Sequence, residues 1–332
     1  MGRYIGCLRN KSIMKIVYVF VSRQIDKYWG MLNISLKSAR MHMPLVGIEL
    51  VTDHDTVKLI QNNDSGFEKR FQVLLTEVSI SEQYSLVEKS RYLKTNLSNI
   101  VKGDFIFVDC DTVFCQDISN IELVKSVSMV LDNHSKLSDF EDKGQMIGEN
   151  LKKRGLSINN EQRYFNSGVM LVKDDQIAKQ LFDEWFKCWD ESRKSGLAQD
   201  QYSLNAVNSK LHIIEELDGE WNCQVNSRPC GIKYLHKAII VHYYNLTVGG
   251  NYELNDEQLL LNYANDNRIK KILQSPKTAF NKCYLFASDS LEIKIMSTNQ
   301  YKAMIMLYKK SRKMFGFIEK FLSVFHKMKH RE

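Results

Sequence analysis

Short apolar runs and amphipathic segments alternate along residues 16–111, and this alternation limits the fold more than any other feature. The apolar runs are rich in β-branched and aromatic residues and predict strands at Ile16–Val21, Leu45–Val51, Phe71–Leu75 and Phe105–Val108. The segments between them predict helices at Tyr28–Arg40, Val57–Gln61 and Ser85–Ile100. Strands that alternate with helices form a mostly parallel sheet with helices on both faces. We therefore expect an α/β fold of the Rossmann-like kind.

The rest of the chain continues this pattern less regularly. It predicts strands at Ser126–Leu131, Tyr164–Val172, 213–214 and Ile239–Tyr244, and helices at Asp117–Lys125, Ile177–Trp189, Tyr202–Val207 and Glu257–Asn262. Residues 132–163 are polar and irregular, and a loop of that length inside a compact domain is usually functional. We expect one domain over residues 14–285, followed by a basic tail over residues 286–332.

The predicted strand Phe105–Val108 ends in two aspartates, Asp109 and Asp111, which are separated by one residue. Side chains at positions i and i+2 of an extended chain point to the same side, so both carboxylates can bind one ion. Ligands of open α/β sheets bind at the carboxyl ends of strands. Carboxylate oxygens suit Mg²⁺ or Mn²⁺, and a divalent cation suits a diphosphate. Aspartate is also common at strand-to-turn junctions for local hydrogen-bonding reasons, so the pair alone leaves both interpretations open.

Three more polar corners follow at predicted strand ends or helix starts: Asn166-Ser167-Gly168, Asp200-Gln201 and His242. Each corner alone has an ordinary structural explanation. Asn-Ser-Gly is a common turn, Asp200 could cap a helix, and a single histidine on an apolar strand often belongs to the core. Their order behind the aspartate pair, in one α/β chain, favours a common site.

These motifs resemble those of the retaining glycosyltransferases of family 8, which have the GT-A fold. The resemblance lies in the runs KSRYLKTNLSNIVKGDFIFVDCDTVF, RYFNSGVMLV, DQYSLN, EWN and IIVHYYN, and it covers about residues 14–250. It implies a hexosyltransferase that moves a hexose from a UDP-sugar to a saccharide or glycolipid acceptor, in the synthesis of a cell-surface glycan or lipopolysaccharide. Retention of the anomeric configuration is implied by the resemblance alone.

The resemblance also implies a role for each motif residue. Asp109, Asp111 and His242 would bind Mn²⁺ or Mg²⁺, and Asp109 would also belong to the donor site. Such an ion offsets the charge that develops on the departing nucleotide. Asp200 would orient the sugar hydroxyls, and Gln201 would lie near the anomeric carbon. The other donor contacts implied by the resemblance are Arg91, Asn166, Ser167, Gly168 and, at the pocket floor, Asn222.

The sequence departs from the family pattern after His242. In the family a lysine in this region contacts the diphosphate, whereas the run Tyr243–Gly250 contains no lysine. Either Lys233 or Lys237 supplies this cation, or the diphosphate clamp is incomplete. Tyr202 also replaces a residue that is frequently acidic in the family.

Two other classes of protein stay open at this point. Phe105–Val113 also fits phosphatases of the haloacid-dehalogenase type, in which Asp109 would be the nucleophile and Asp111 the general acid. That motif normally lies on the first strand, but three predicted strands precede it here. The chain could also be an inactive protein that binds a nucleotide-sugar, although the aspartate pair and the Asp200-Gln201 corner argue against it.

Charge and cysteine content limit the remaining classes. The net charge of +7 lies entirely in residues 302–332, so we expect no nucleic-acid binding. The seven cysteines are an odd number without a CxxC pair, which favours reduced thiols in the cytoplasm over a disulfide framework or a zinc site. No segment reaches the roughly 18 apolar residues of a membrane span. Translation could start at Met14, which would make residues 1–13 a dispensable leader.

The tail combines positive charge with an apolar face. Residues 302–328 place apolar side chains at helical spacing between lysines, with a break expected near Gly316. A basic amphipathic helix of this kind can lie in an anionic membrane surface. We therefore expect peripheral association with the inner face of the plasma membrane; a helix docked on the domain is the alternative.

Overall fold

The computed structural model describes residues 14–137, 147–150, 152, 163–225, 231–243, 254, 257–263, 266–281, 303, 306–307 and 310–329. Several predictions of the sequence lie outside these residues. They include most of the polar loop 132–163, the run 244–250 after His242, and most of the boundary between domain and tail.

Strands and helices alternate through the first half of the described chain, as predicted. Among the described residues, the strands are β1 (Lys15–Val19), β2 (Gly47–Asp53), β3 (Val73–Val78), β4 (Phe105–Val108), β5 (Thr112–Phe114), β6 (Val127–Leu131), β7 (Phe165–Val172), β8 (Ile214–Glu216), β9 (Cys223–Gln224) and β10 (Ile240–His242). The helices are α1 (Lys27–His42), α2 (His54–Asn63), α3 (Phe67–Phe71), α4 (Leu86–Thr95), α5 (Leu97–Ile100), α6 (Gln176–Lys194), α7 (Asp200–Leu211), α8 (Ile232–Leu235), α9 (Glu257–Leu261), α10 (Asn267–Gln274), α11 (Pro276–Asn281) and α12 (Arg312–Lys329).

The main sheet has seven strands among the described residues, in the order β3-β2-β1-β4-β7-β6-β8. β1 pairs in parallel with β2 and β4, whereas β7 pairs antiparallel with both of its neighbours, β4 and β6. The sheet is therefore mixed but mostly parallel. The carboxyl ends of β1, β2 and β4 meet at one edge, which is where a ligand of such a sheet is expected.

Two hydrophobic cores lie on the two faces of this sheet. Alternate residues of β1 point to opposite faces, so Ile16 and Tyr18 join one core while Val17 and Val19 join the other. The first core contains side chains of α1, α2 and α3, and the second contains those of α4, α5, α6 and α7. Both faces of the sheet are thus covered by helices, as the sequence predicts.

A second, smaller sheet brings the end of the domain back to the aspartate pair. β10 pairs antiparallel with β5 and parallel with β9, so that His242 lies opposite Thr112. Because β5 begins directly after Asp111, this pairing places a late histidine beside an early carboxylate. The sequence did not predict β5 or this sheet.

Three predicted helices differ from the structure. The segment 117–125 is not helical, because Asp117 accepts a hydrogen bond from the Ser119 N–H in a local turn that competes with a helix. The predicted helix Ser85–Ile100 is interrupted at Asn96, whose side chain donates to the carbonyl of Tyr92. The tail helix α12 passes through Gly316 without the expected break.

The described part of the tail exposes an apolar stripe on α12. Met314, Phe317 and Phe321 are exposed, whereas Phe315 and Ile318 are half-buried. Residues spaced by three and four positions share one side of a helix, so the exposed three form a stripe. Across the described residues, no helix combines the length and the apolar character required to span a membrane.

Candidate active site

The turn 109–111 lies between β4 and β5, at the carboxyl edge of the main sheet. The Asp109 N–H donates to the carbonyl of Gly168 on β7 (2.8 Å), and the Tyr243 N–H donates to the carbonyl of Asp111 (3.0 Å). The Thr112 hydroxyl donates to the carbonyl of Asp109 (2.8 Å). The backbone of the turn is therefore attached to both sheets, which fixes the directions of the two carboxylates.

A chain of hydrogen-bonded hydroxyls, formed by Thr112, Ser35 and Tyr18, stabilises this turn. Thr112 donates its only hydroxyl proton to the backbone carbonyl of Asp109. The Ser35 hydroxyl must therefore donate to Thr112 (2.8 Å), and the Tyr18 hydroxyl must in turn donate to Ser35 (2.9 Å). Tyr18 is fully buried, and burial raises the pKa of its phenol. Helix α1 and strand β1 thus hold the aspartate turn through directed hydrogen bonds.

Asp109, Asp111 and His242 bring two carboxylate oxygens and one imidazole nitrogen together, with all three atoms within 4.8 Å of one another. His242 Nε2 lies 3.3 Å from Asp111 Oδ1 and 4.0 Å from Asp109 Oδ2. Hard carboxylate oxygens with one imidazole form a donor set that suits Mn²⁺, and the carboxylates also suit Mg²⁺. These three residues were predicted as metal ligands, and the fold brings them together.

Gly168 leaves the space that this cluster needs. A Cβ atom at this position would lie 2.1 Å from His242 Cε1 and 2.9 Å from Asp109 Oδ2, much closer than any real Cβ contact. Only a residue without a side chain therefore lets β7 pass directly behind the three ligands. The residues present fit a divalent metal ion both in donor chemistry and in the space around them.

A line of buried amides determines which nitrogen of His242 faces the cluster. The carboxylate of Asp132 only accepts, so Asn166 directs its NH₂ to it (2.9 Å) and its oxygen to Asn222. Asn222 therefore donates to Asn166 (2.9 Å) and directs its own oxygen to His242 Nδ1 (3.1 Å). His242 must carry a proton on Nδ1, which leaves the Nε2 lone pair for a metal ion.

Two cations lie beside the carboxylates. Lys94 is buried, and its Nζ lies 3.0 Å from Asp109 Oδ1 and 3.6 Å from Asp200 Oδ2. Arg91 lies one helical turn before it on α4, with Nε 3.0 Å from Asp200 Oδ1. The sequence predicted Arg91 but missed Lys94. The available signal was their i, i+3 spacing, which places both on one side of the helix.

These contacts shift the ionisation of the carboxylates in opposite directions. Burial raises the pKa of Asp109, and the neighbouring Asp111 adds to this effect. Burial would also raise the pKa values of Asp111 and Asp200, but their hydrogen bonds and the charges around them outweigh it. His242 lowers the pKa of Asp111, and Arg91 with Lys94 lowers that of Asp200. Asp200 is therefore ionised at neutral pH despite its burial.

The cluster opens into a cavity of about 390 Å³. The cavity is lined by residues of β7, β10, α4 and α7, by residues that follow β4 and β6 or precede β7 and α7, and by Ile147: Arg91, Lys94, Asp109, Asp111, Asp132, Ile147, Tyr164, Asn166, Ser167, Gly168, Gln199, Asp200, Gln201, Tyr202 and His242. A cavity of this size, with polar groups that converge on it, is typical of a small-molecule site. It contains every predicted site residue except Asn222.

The corner at the start of α7 contributes to this cavity through side chains rather than as a cap. Asp200 is the first residue of the helix, and the cap position belongs to Gln199. Ser167 donates from its hydroxyl to Asp200 (3.3 Å) and from its N–H to the Gln201 side chain (3.2 Å). The Asn-Ser-Gly and Asp-Gln corners thus contact each other, as one site requires.

Three residues lie elsewhere than predicted or were not predicted. Asn222 is fully buried behind His242 and does not reach the cavity. Asp132 does line it, directly after the carboxyl end of β6, a position that could have been noticed in the sequence. Lys237 does not line the cavity but lies 3.8 Å from Glu220, and the Lys233 side chain is outside the described residues.

Several solved structures of glycosyltransferases resemble this chain. The galactosyltransferase LgtC, in complex with donor and acceptor sugar analogues, shares 14% identity and a TM-score of 0.50, over 79% of this chain and 96% of that one. The bifunctional glycosyltransferase WbbM matches at 18% identity and TM-score 0.50, over 80% of this chain and 52% of that one. The glycosyltransferase GlyE from Streptococcus pneumoniae TIGR4 matches at 14% identity and a TM-score of 0.50, over 81% of this chain and 64% of that one. At these identities the likeness shows the GT-A fold alone.

The sequence itself gives a more specific match. Among curated protein sequences there is no significant match. The family model described as glycosyl transferase family 8, however, matches residues 21–248, which include the metal cluster and the whole cavity lining. With the GT-A fold and the Asp-Asp-His cluster, this match shows that the chain belongs to glycosyl transferase family 8.

Proposed function

We propose that this glycosyltransferase moves a hexose from a UDP-sugar to a saccharide or glycolipid acceptor, in the synthesis of a cell-surface glycan or lipopolysaccharide. The observation that carries the proposal is the convergence of Asp109, Asp111 and His242 at a cavity that also contains two cations. A nucleoside diphosphate joined to a sugar needs both features, because its diphosphate is anionic and must leave with the nucleotide.

In this proposal Asp109, Asp111 and His242 hold the divalent ion, Mn²⁺ or Mg²⁺. The ion supplies positive charge to the diphosphate of the donor. Asn222 acts behind them, because its oxygen keeps the proton on Nδ1 of His242 (3.1 Å) and so leaves Nε2 to the ion. Asn222 is therefore proposed as a positioning residue rather than as a donor contact.

Lys94 is the cation that we assign to the diphosphate. It is buried beside Asp109, within reach of any group bound to the same ion, and it has the charge that the run after His242 lacks. Arg91 lies on the same side of α4 and is assigned to the sugar and the phosphates. These two residues complete the clamp without Lys233 or Lys237.

Asp200 and Gln201 form the reaction side of the cavity. Asp200 is buried and ionised between Arg91 and Lys94, so its carboxylate is an acceptor for the hydroxyls of the donor sugar. The Gln201 oxygen is held by the Ser167 N–H (3.2 Å), and we assign this side chain to the anomeric carbon. Asn166, Ser167 and Gly168 complete the donor side.

The test is a panel of nucleotide-sugars incubated with the purified chain and Mn²⁺, with released nucleotide as the readout. We expect release from one or more UDP-hexoses, increased by a saccharide acceptor. Release of inorganic phosphate from simple phosphate esters, without turnover of any nucleotide-sugar, would instead support a phosphatase of the haloacid-dehalogenase type. Binding of a UDP-sugar without turnover, whichever acceptor is added, would support an inactive protein that binds a nucleotide-sugar.

We also propose that the tail, over residues 302–328, associates peripherally with the inner face of the plasma membrane. The support is α12, which exposes Met314, Phe317 and Phe321 next to the exposed cations Arg312 and Lys313. An apolar stripe flanked by cations fits an interface that contains anionic lipid. In this proposal the enzyme acts in the cytoplasm on an acceptor at that surface.

A further inference from the structure

A second cavity, of about 360 Å³, lies between α1, α3 and α10 and shares no residue with the candidate active site. Side chains of these helices and one residue that follows α9 line it: Lys37, Arg40, Met41, Arg70, Phe71, Tyr263, Ile269, Lys270, Leu273 and Gln274. The lining combines four cationic side chains with apolar ones and contains no carboxylate. A space of this kind attracts an anion that carries an apolar group.

The charge of this cavity is only partly compensated. Asp64 pairs with Arg70, but among the described residues no carboxylate pairs with Lys37 or Lys270. Lys37 Nζ has one long contact, 3.4 Å from the carbonyl of Tyr263, and lies 4.7 Å from the centre of the Tyr263 ring. Burial lowers the pKa of Lys37, and the charges of Arg70 and Lys270 lower it further. These cations therefore repel one another without an anion between them.

Arg40 has a different part in the same cavity. Its guanidinium donates to backbone carbonyls at the end of α3 and in the loop between α1 and β2, including those of Phe71 (2.6 Å) and Val46 (2.7 Å). These bonds use the donors of Arg40 but leave its positive charge. The groups that can contact a ligand directly are thus Lys37, Lys270 and the outer side of Arg70.

The floor of the cavity is apolar. Phe71, Ile269 and Leu273 are buried, and the Arg70 guanidinium lies over the Phe71 ring at 4.7 Å. Met41 lines the same cavity and is 51% exposed. An inorganic anion would leave this surface in water, whereas a ligand with an alkyl chain would cover it.

We propose that this cavity binds the phosphate headgroup of a lipid, with Lys37, Arg70 and Lys270 around the phosphate and the start of the alkyl chain on Phe71, Ile269 and Leu273. A phosphate carries more negative charge than a carboxylate and has more acceptor oxygens, which matches a site with several cations. The site is separate from the donor cavity, so the inference stands whether or not the proposed transfer reaction is confirmed.

The test measures binding to the full chain by isothermal titration calorimetry. Three probes separate the sources of affinity: dihexanoyl phosphatidic acid below its critical micelle concentration, dihexanoyl phosphatidylcholine and inorganic phosphate. We expect phosphatidic acid to bind at least tenfold more tightly than inorganic phosphate, because only the lipid covers the apolar floor. The choline lipid, whose headgroup has no net charge, should not bind measurably.

Lysine variants of α10 provide a matched pair. Lys270→Met removes a cation of the cavity, whereas Lys271→Met removes the adjacent cation outside it, and both side chains are exposed. We expect Lys270→Met to lower the affinity for phosphatidic acid roughly fivefold, which is the effect of one basic residue near an anionic lipid. Lys271→Met should leave this affinity unchanged. Lys37→Met should weaken binding at least as much, with thermal unfolding as the check that it folds.

Three results would overturn the proposal. The first is the absence of phosphatidic acid binding to the unaltered chain. The second is an equal loss of affinity in Lys270→Met and Lys271→Met, which indicates general charge attraction. The third is binding of inorganic phosphate as tight as that of phosphatidic acid, because the apolar floor would then have no role and the ligand would be a free phosphate.

Discussion

The proton on His242 is placed by a carboxylate that does not touch it. Asp132 can only accept, and this single constraint orients the side-chain amides of Asn166 and Asn222 in turn. The last amide oxygen then accepts from Nδ1 of His242 at 3.1 Å. At the residue scale, therefore, the proposed metal site depends on buried amides that would not contact the ion themselves.

Asn222→Ala tests this orientation. Without the Asn222 oxygen, His242 loses the bond that holds its ring and its tautomer, so we expect Mn²⁺ affinity to fall roughly 10–100-fold. Asn208→Ala is the matched control, because Asn208 is also buried and accepts backbone hydrogen bonds, but from Ile213 and Ile214. Calorimetric titrations with Mn²⁺ compare the affinities of both variants with that of the unaltered chain. Unchanged Mn²⁺ affinity in folded Asn222→Ala contradicts the orientation argument.

Gly168→Ala tests the space behind the ligands. The new Cβ would lie 2.1 Å from His242 Cε1, so we expect the histidine to move, Mn²⁺ binding to be lost and the free energy of unfolding to fall by about 1–3 kcal/mol. Gly47→Ala adds the same methyl group 3.4 Å from Lys15 Cβ, an ordinary contact, and should change neither quantity much. If Gly168→Ala binds Mn²⁺ like the unaltered chain, the cluster does not hold the ion as described.

Lys94→Met separates binding of the metal from stabilisation of the leaving nucleotide. Methionine keeps the apolar stem but removes the charge that pairs with Asp109, so Mn²⁺ affinity should not fall. Nucleotide release should drop by about 10²-fold or more, the usual effect of removing one preorganised electrostatic contact. Lys89→Met is the control, since Lys89 is equally buried on α4 but pairs with Glu82 and Asp53. Equal losses of activity in both variants would refute the assigned role.

At the scale of elements, short strands and burial of charge explain what the sequence could not show. β5 has only three residues, too few for an alternating pattern to identify it, although its pairing with β10 brings His242 to Asp111. Lys94 belongs to an amphipathic helix, where a lysine normally indicates a solvated face. Only the packing of α4 against the end of β4 reveals that this lysine is buried.

The tail helix α12 gives a prediction at the same scale. Phe317 and Phe321 are exposed one turn apart, and each would bury enough apolar area to add about 1.5–3 kcal/mol to membrane binding. We expect the double variant Phe317→Ser/Phe321→Ser to reduce partitioning into vesicles containing anionic lipid at least tenfold, as measured by sedimentation. Leu45→Ser/Val124→Ser, which alters two exposed apolar residues of the domain, is the control. Failure of the unaltered chain to bind such vesicles at low salt refutes the association.

For the whole molecule, the fold class was predictable because strand and helix patterns alternate over nearly a hundred residues. The strand order was not, since the antiparallel β7 between β4 and β6 depends on long-range pairing. The candidate site was largely predictable, because Asp109, Asp111, Asn166, Asp200 and His242 come at ends of strands or the start of a helix. The carboxyl end of β4 and the amino end of the antiparallel β7 lie at one edge of the main sheet, where β10 of the second sheet adds His242, and this is where the cavity lies.

In the proposed mechanism, Asp109, Asp111 and His242 hold the divalent ion on which transfer depends. The most direct measurement compares nucleotide release from the preferred nucleotide-sugar by the unaltered chain and by Asp111→Ala, each with Mn²⁺ and with EDTA. We predict release that requires Mn²⁺ in the unaltered chain, and none above background in an Asp111→Ala variant that unfolds at a similar temperature. Release that persists in EDTA, or that Asp111→Ala retains in full, would contradict the account.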